Sequence, residues 1–209
     1  HWMEDSTGIA SRNADGTIDF DNDVSLNQST TDPYTGEISD FNGRLIGSNG
    51  FRDSNVNRAV MVRRASMNSH NWIGAISNLE ITQGKMTYSV GIDLRNYTGY
   101  HYRTMNNLMG LDGYYSTGND NENGRIVNTT IEASPFNNTS IAGPKIDYYN
   151  IGNVGWQGLN GMAEYNDNGR LTAVVQAGVS NQSFQRIDYF DQANNPESEV
   201  SSLLGGYAK

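Results

Sequence analysis

The chain contains no cysteine. Disulfide frameworks, thiolate zinc sites and cysteine nucleophiles are therefore excluded together. Only 4 of the 209 residues are proline, which is too few for a proline-rich disordered segment. Charged residues make up 18% of the chain, and the formal net charge of -9 would repel a phosphate backbone. We therefore expect no nucleic-acid binding.

Long apolar runs and catalytic motifs are also missing. No stretch approaches the roughly 20 apolar residues of a transmembrane helix, and the first ten residues, HWMEDSTGIA, lack the basic start and apolar stretch of a signal peptide. The sequence has no G-x-S-x-G elbow, no P-loop and no dinucleotide-binding glycine motif. We therefore predict that the chain is not an enzyme and uses no cofactor.

Asparagine and glycine are abundant instead. The 27 asparagines and 23 glycines make up nearly a quarter of the chain, and both residue types prefer turns, caps and positive φ to helix interiors. The 12 tyrosines raise the aromatic content to 10%, which is too high for ordinary disorder. This composition predicts an ordered all-β protein with long loops.

The strongest pattern is the alternation of apolar and polar residues in 86–102. One strand face would carry Met86, Tyr88, Val90, Ile92 and Leu94. The other face would carry Thr87, Ser89, Gly91, Asp93 and Arg95. Segments 72–82 and 170–186 repeat the pattern, and none of the three apolar faces carries a charge.

Short turns join these segments in pairs. Residues 83–85 connect 72–82 to 86–102, and residues 166–169 connect 150–165 to 170–186. Long segments rich in Asn, Asp, Gly and Ser precede and separate the two hairpins. This contrast between short turns within the hairpins and long segments outside them is typical of outer-membrane β-barrels, which have short periplasmic turns and long extracellular loops.

These patterns predict an antiparallel, up-and-down transmembrane β-barrel segment. Residues 1–67 are expected to form a long extracellular loop region, and residues 68–209 part of a barrel with hairpins 72–102 and 150–186 and a final strand from about residue 200. Five strands are too few to close a lumen, so the barrel is expected to be incomplete. A soluble sheet with its apolar face on a core is the alternative that the alternation leaves open.

Several strings resemble a known family. They are IDLRNYTGYHYR (92–103), LMGLDGYY (108–115) and KIDYYNIGNVGWQGLNGMAEYNDNGRLTAVVQAGVSNQSFQRIDYF (145–190). Together they resemble the barrel region of TonB-dependent outer-membrane receptors of the large type with a carboxypeptidase-regulatory-like N-terminal extension. The resemblance covers roughly 68–209. It implies a location in the bacterial outer membrane and active import of a nutrient such as an oligosaccharide, a peptide or a metal chelate.

The resemblance also implies partners. They are the outer-membrane lipid, the remainder of the barrel with its plug, and TonB, which would act through regions that this chain does not contain. A surface lipoprotein is a further partner that the family allows. Two other functions remain open: a secreted soluble β-domain that binds carbohydrate through loop aromatics, and a surface structural or interaction protein that presents its long loops.

Two groups of residues are candidates for ligand contact. Asp93, Arg95 and Gln176 would face the lumen, where inward positions tune selectivity, although Asp93 and Arg95 can also serve as ordinary cross-strand charge partners. Four tyrosines in the long segments would offer stacking area at the extracellular surface. They are Tyr114, Tyr115, Tyr148 and Tyr149.

A weak calcium candidate lies near the N-terminus, where DGTIDFDND places Asp15, Asp19, Asp21 and Asp23 close together. The order of these residues does not match the EF-hand loop, and acidic loops are usually solvated. The three histidines show no ligand spacing. We therefore predict no metal site.

Overall fold

The computed structural model describes most of the chain. The described residues are 2–4, 12–28, 45–47, 61–111, 113–116, 118–122, 124–132, 136, 142–167, 169–192 and 194–209. Much of the region predicted as an N-terminal loop, 1–67, therefore lies outside them.

Nine strands and one helix form the described fold, in the order β1, α1, then β2 to β9. The elements are β1 (Trp2–Glu4), α1 (Phe20–Gln28), β2 (Leu45–Gly47), β3 (Met61–Gln83), β4 (Met86–Asn107), β5 (Gly113–Ser116), β6 (Arg125–Val127), β7 (Ile146–Asn166), β8 (Thr172–Asp188) and β9 (Ser201–Ala208). The predicted all-β class is confirmed. No helix in the described part of the chain is long and apolar enough to cross a membrane.

The main sheet has six strands in the order β1-β3-β4-β7-β8-β9. β4 and β7 are antiparallel. Gly91 of β4 lies against Asn160 of β7, and further along β4 the Thr98 hydroxyl donates to Asn153, which comes earlier in β7. β9 pairs with β8 antiparallel, with Gly178 opposite Tyr207. The predicted antiparallel, up-and-down arrangement is confirmed.

A second, three-stranded sheet has the order β2-β5-β6. β2 pairs with β5 in parallel, and β5 pairs with β6 antiparallel. This small sheet was not predicted, because β5 and β6 fall in the segment between the hairpins, which the turn-rich composition assigned to a loop.

The long strands also extend beyond their predicted bounds. β3 begins at Met61 instead of 72, and β4 continues to Asn107 instead of 102. The added residues do not alternate: Thr104 and Met105 are consecutive and both are buried. A strand that is buried on both faces loses the period of two on which the prediction depended.

The chain divides into two compact units. The core unit comprises His1–Ser69, His101–Asn150 and Asp188–Pro196. It is built around a cluster of buried apolar side chains, against which the partly buried Leu108 packs. The cluster consists of Val62, Met105, Leu111, Tyr114, Val127 and Ile146. Five of these six, all except Val62, lie in the segment between the predicted hairpins, which the sequence assigned to a loop.

The sheet unit comprises His70–Tyr100, Ile151–Ile187 and Glu197–Lys209. One of its faces carries the predicted apolar residues, and their exposure ranges from 45% to 74%. This apolar face includes Ile73, Leu79 and Ile81 on β3, Tyr88, Val90, Ile92 and Leu94 on β4, Leu159 on β7, and Val175 and Val179 on β8. The opposite face, here called the polar face, carries Ser89, Gly91, Asp93, Asn160 and Gln176.

Two tight turns of the sheet unit are joined to each other. Gly84, in the turn from β3 to β4, has φ +64°, and Gly169, in the turn from β7 to β8, has φ +89°. Glycine adopts such angles without the steric cost that a Cβ imposes. The Lys85 ammonium pairs with the Asp167 carboxylate, and the Asn166 N–H donates to the Lys85 carbonyl over 2.9 Å.

A pair of isoleucines tests the position of the core. Ile146 is fully buried and Ile126 is 55% exposed, although both lie in strands of the core unit. We expect Ile146→Ala to lower the free energy of unfolding by about 2–5 kcal/mol, since it removes methyl groups from a packed cluster. Ile126→Ala should cost less than about 0.5 kcal/mol. Urea unfolding of both variants measures the difference, and equal costs would contradict the assignment of the core.

Candidate functional site

A groove runs along the polar face of the sheet unit. One part, of about 500 Å³, is lined by residues of β3, β4, β7, β8 and β9, including Asn78, Ser89, Asp93, Arg95 and Gln176. An adjoining part of about 280 Å³ shares Asp93, Asn160 and Tyr207 and adds Trp156 and Ser180. The structure thus brings Asp93, Arg95 and Gln176 to one groove.

Asp93 and Arg95 form an ion pair with each other. The Arg95 Nε donates to Asp93 Oδ1 over 2.7 Å, and Nη2 donates to Oδ2 over 2.6 Å. Residues two apart on a strand share a face, so the guanidinium can lie parallel to the carboxylate. Both side chains are partly exposed, and such a pair contributes only about 0–1 kcal/mol to stability. Its main effect is to cancel the charge of this part of the groove.

Glycines make room for large side chains in the groove. A Cβ at Gly91 would lie 2.8 Å from the Asn160 amide, and a Cβ at Gly158 would lie 3.2 Å from Trp156 Nε1. A Cβ at Gly178 would lie 2.5 Å from Tyr207 Cε1. The Asn160 amide, the Trp156 indole and the Tyr207 ring therefore rest on backbone that only glycine leaves open.

Trp156, Asn160 and Tyr207 were not among the predicted site residues. The sequence does carry a signal for Trp156. The spacing aromatic-x-Gly, here Trp156 and Gly158, places the ring and the glycine on the same face of a strand. The same spacing occurs at Tyr97 and Gly99. No such signal exists for Tyr207. Its glycine is Gly178, and only the register of β8 with β9 brings the two together.

The four predicted tyrosines do not form one exposed surface. Tyr114 is fully buried, and its hydroxyl donates to Asp147 Oδ1 over 3.0 Å. The expectation that Tyr114 offers a stacking face at the surface is therefore wrong. Burial, followed by the charge of Asp147, raises the pKa of its hydroxyl. The side chain of Tyr115 lies outside the described part of the structure.

Tyr148 and Tyr149 are both partly buried in the core unit. The Arg103 guanidinium lies 5.1 Å from the centre of the Tyr148 ring. Tyr149 stacks on Tyr189, with 4.8 Å between ring centroids, and its edge meets Tyr102. These contacts occupy ring faces that were predicted to contact a ligand, and so they give both tyrosines a role in packing.

Asp147 is the polar centre of the core unit. Its Oδ2 accepts from Arg64 over 2.6 Å and from Arg103 over 3.0 Å, and its Oδ1 accepts from Tyr114. Asp147 has φ +62°, a left-handed conformation that Asp and Asn tolerate better than most residues. A carboxylate at this position therefore links β3, β4, β5 and β7.

Lys145 lies next to this centre and is also buried. Its Nζ donates to the Gly143 carbonyl and lies 4.6 Å from the centre of the Tyr102 ring. Burial, followed by the charge of Arg125, lowers the pKa of Lys145 from 10.5 to about 8.

The acidic segment has structural contacts instead of a shared ligand. Asp15 Oδ1 accepts from the Thr17 N–H over 3.0 Å and from its hydroxyl, which lowers the pKa of Asp15. Asp19 accepts from the Asn22 N–H over 3.0 Å and so caps α1. Asp21 and Asp23 lie in the first turn of α1, where the helix dipole favours negative charge. The weak calcium candidate is therefore wrong: no three acids or histidines cluster anywhere in the described ranges.

We expect Asp147→Asn to lower the free energy of unfolding by about 1–3 kcal/mol, because two arginines lose their anionic partner and one of the two accepting oxygens becomes an amide nitrogen. Asn keeps the size and the left-handed backbone of Asp147. The exposed Asp191→Asn is the matched control and should have little effect. Denaturant unfolding compares the two variants, and a neutral Asp147→Asn would contradict a central role for the carboxylate.

Lys145 predicts a pH dependence of stability. In the unfolded chain the amine keeps its ordinary pKa of 10.5, whereas in the folded protein its pKa is about 8. Between these two values the unfolded state binds more protons, so this residue makes stability rise with pH. Below the lower value both states are protonated and the contribution is constant. We therefore expect the unfolding free energy of the wild type to rise relative to that of Lys145→Met as the pH increases from about 8 to 10.5. Denaturant unfolding of both proteins across this range measures the effect, and a difference that does not change with pH would contradict the prediction.

Comparison with models of known protein families, with curated proteins and with solved structures finds no match to this chain. The geometry and chemistry of the described residues therefore carry the functional proposal.

Proposed function

We propose that the sheet unit is part of the wall of a bacterial outer-membrane β-barrel, in a TonB-dependent importer of a nutrient. The apolar face would contact lipid, and the polar face would line an aqueous lumen. A single observation carries this proposal: most of the exposed apolar residues of β3, β4, β7 and β8 share one face of the sheet, while the opposite face holds the charged and amide side chains together with Ile76.

Exposed apolar surface of this extent supports a membrane location. Soluble monomers rarely expose large contiguous apolar patches, and burial of such surface is worth roughly 25 cal/mol per Å². Hydrocarbon provides that burial without a second protein layer. The apolar face also has a groove of about 560 Å³, lined mainly by small and aliphatic side chains such as Val90, Leu159, Ala163, Val175 and Val179.

Strand length and pairing are compatible with a membrane span. A tilted strand needs about 9–11 residues to cross the hydrocarbon, and β3, β4, β7 and β8 have 23, 22, 21 and 17 residues. β4, β7 and β8 each have a strand on both sides, as the absence of water in hydrocarbon requires. Among the described residues, β3 pairs with β1 only at Met61–Arg63, so a further strand would have to cover the rest of that edge. The smallest outer-membrane barrels have about 8 strands, so further strands would complete the wall.

The same proposal assigns partners. Lipid would cover the apolar face, and the remaining strands and a plug would complete the transporter. TonB would act through the plug, and a surface lipoprotein would dock on the extracellular side. The groove with Asp93, Arg95 and Gln176 would border the substrate path.

A secreted soluble β-domain that binds carbohydrate is the second candidate. The packed apolar cluster of the core unit favours it, because that unit has the buried core of a soluble domain. In that case a second layer would have to bury Val90 and Val175. Extraction separates the two candidates, since a barrel wall requires detergent and a secreted domain does not.

Arginine substitutions on the two faces test the membrane proposal. Val90→Arg or Val175→Arg should cost about 2–4 kcal/mol near the bilayer midplane, because the charge would enter hydrocarbon. The adjacent residues Ser89 and Gln176 are the matched controls, and their replacement by Arg should be much milder. Folding of the complete protein into lipid vesicles provides the measurement. Equal tolerance on both faces would overturn the proposal.

A further inference from the structure

Three aromatic side chains form a cluster on the polar face of the sheet unit, beside the groove. His70 and Trp72 lie two residues apart on β3, and Tyr97 lies on the neighbouring strand β4. Residues two apart on a strand share a face, so Tyr97 lies on the same face as Asp93 and Arg95. None of the three aromatic residues lines either described part of the groove. The cluster is therefore a separate feature of this face.

A hydrogen bond and two ring contacts hold the cluster together. The Tyr97 hydroxyl lies 2.6 Å from His70 Nδ1, which is a short hydrogen bond. The two rings are stacked, with 5.7 Å between their centroids. The Trp72 and Tyr97 rings meet edge to face, with 5.9 Å between centroids. Tyr97 therefore contacts an imidazole through its hydroxyl and an indole through its ring.

Gly99 leaves the space that the tyrosine ring occupies. A Cβ at Gly99 would lie 2.5 Å from Tyr97 Oη and 3.0 Å from Cζ, so the ring lies directly over this glycine. In this position the hydroxyl reaches His70. Tyr97 is half-buried, whereas Trp72 is 67% exposed. An oxidant in solvent therefore reaches the indole more readily than the phenol.

A tyrosine that contacts both a base and an indole is suited to one-electron oxidation. At neutral pH this oxidation gives a neutral tyrosyl radical, so the phenol must lose a proton together with the electron. A base within hydrogen-bond reach takes up that proton in the same step. His70 meets this requirement at Nδ1 in the tautomer that carries its proton on Nε2. An oxidised indole in ring contact is the electron acceptor.

We propose that Tyr97 is a radical site that receives oxidising equivalents from Trp72. An oxygen-derived one-electron oxidant, such as the carbonate radical, removes one electron from Trp72 and is itself reduced to carbonate. The indole radical cation takes one electron from Tyr97, and the phenolic proton passes to His70 Nδ1. Trp72 is thereby restored, Tyr97 becomes a neutral radical and His70 becomes an imidazolium. The site protects the exposed indole from irreversible oxidation, and it is independent of the proposed function because the step needs no lipid.

Pulse radiolysis of the complete protein tests the inference. Azide radicals oxidise tryptophan in preference to tyrosine, and time-resolved absorption then follows the decay of the indole radical and the growth of the tyrosyl radical. We expect an intramolecular transfer phase whose rate does not depend on protein concentration. The phase should be lost in Trp72→Phe and in Tyr97→Phe. The matched controls Trp156→Phe and Tyr88→Phe should keep it, because neither side chain belongs to the cluster.

The role of His70 as the proton acceptor has its own measurement. His70→Ala should slow the transfer by roughly tenfold or more, since a positioned base contributes at least this much to a proton transfer. His70 is exposed, so free imidazole in the buffer should restore much of the rate. The wild-type phase should also be slower in D₂O than in H₂O. A purely structural His70 would show no rescue by imidazole.

Mass spectrometry after exposure to carbonate radicals gives an independent readout. We expect more irreversible oxidation of Trp72 in Tyr97→Phe than in the wild type, and no increase in Tyr88→Phe. Circular dichroism checks that each variant keeps its fold. A transfer phase that survives in Tyr97→Phe, an unchanged rate in His70→Ala, or equal oxidation of Trp72 in the wild type and both tyrosine variants would overturn the inference.

Discussion

The carboxylate of Asp147 accepts hydrogen bonds from three other strands of the core unit, through Arg64, Arg103 and Tyr114. Each donor would otherwise be a buried or half-buried polar group inside an apolar cluster, which is costly without a partner. The left-handed backbone of Asp147 at the start of β7 brings the carboxylate to that position. Residues far apart in sequence thereby share one acceptor, and the segment between the hairpins becomes a packed structure in place of a loose loop.

The alternation of apolar and polar residues was sufficient to predict the parts of the sheet that have one apolar face and one polar face. The hairpins, their order and the apolar positions Val90 and Val175 followed from a period of two and from two short turns. The strand ends did not follow, because residues such as Thr104 and Met105 are buried in succession. β5 and β6 were missed for a related reason: strands of three or four residues are too short to establish a period.

The candidate site could be predicted where it depends on neighbours along one strand. Asp93 and Arg95 share a face because they are two residues apart, and Gln176 lies on the polar face by the same count. The Tyr207 ring rests on Gly178 through the register of two strands, which composition does not determine. Tyr114 was misplaced for the same physical reason, since the cluster that buries it and the carboxylate of Asp147 that accepts from its hydroxyl come from distant parts of the sequence.

The contact between the two tight turns has a consequence for strand register. Lys85 directly precedes β4 and Asn166 ends β7, so their backbone hydrogen bond and the ion pair between Lys85 and Asp167 fix which residues of these strands are opposite each other. A slip by one residue would exchange the two faces of a strand and place Asp93 among valines and leucines. The long chain between β4 and β7 places few limits on their alignment. The contacts of Lys85, at the end of the strands away from that long chain, therefore set the register of β4 with β7.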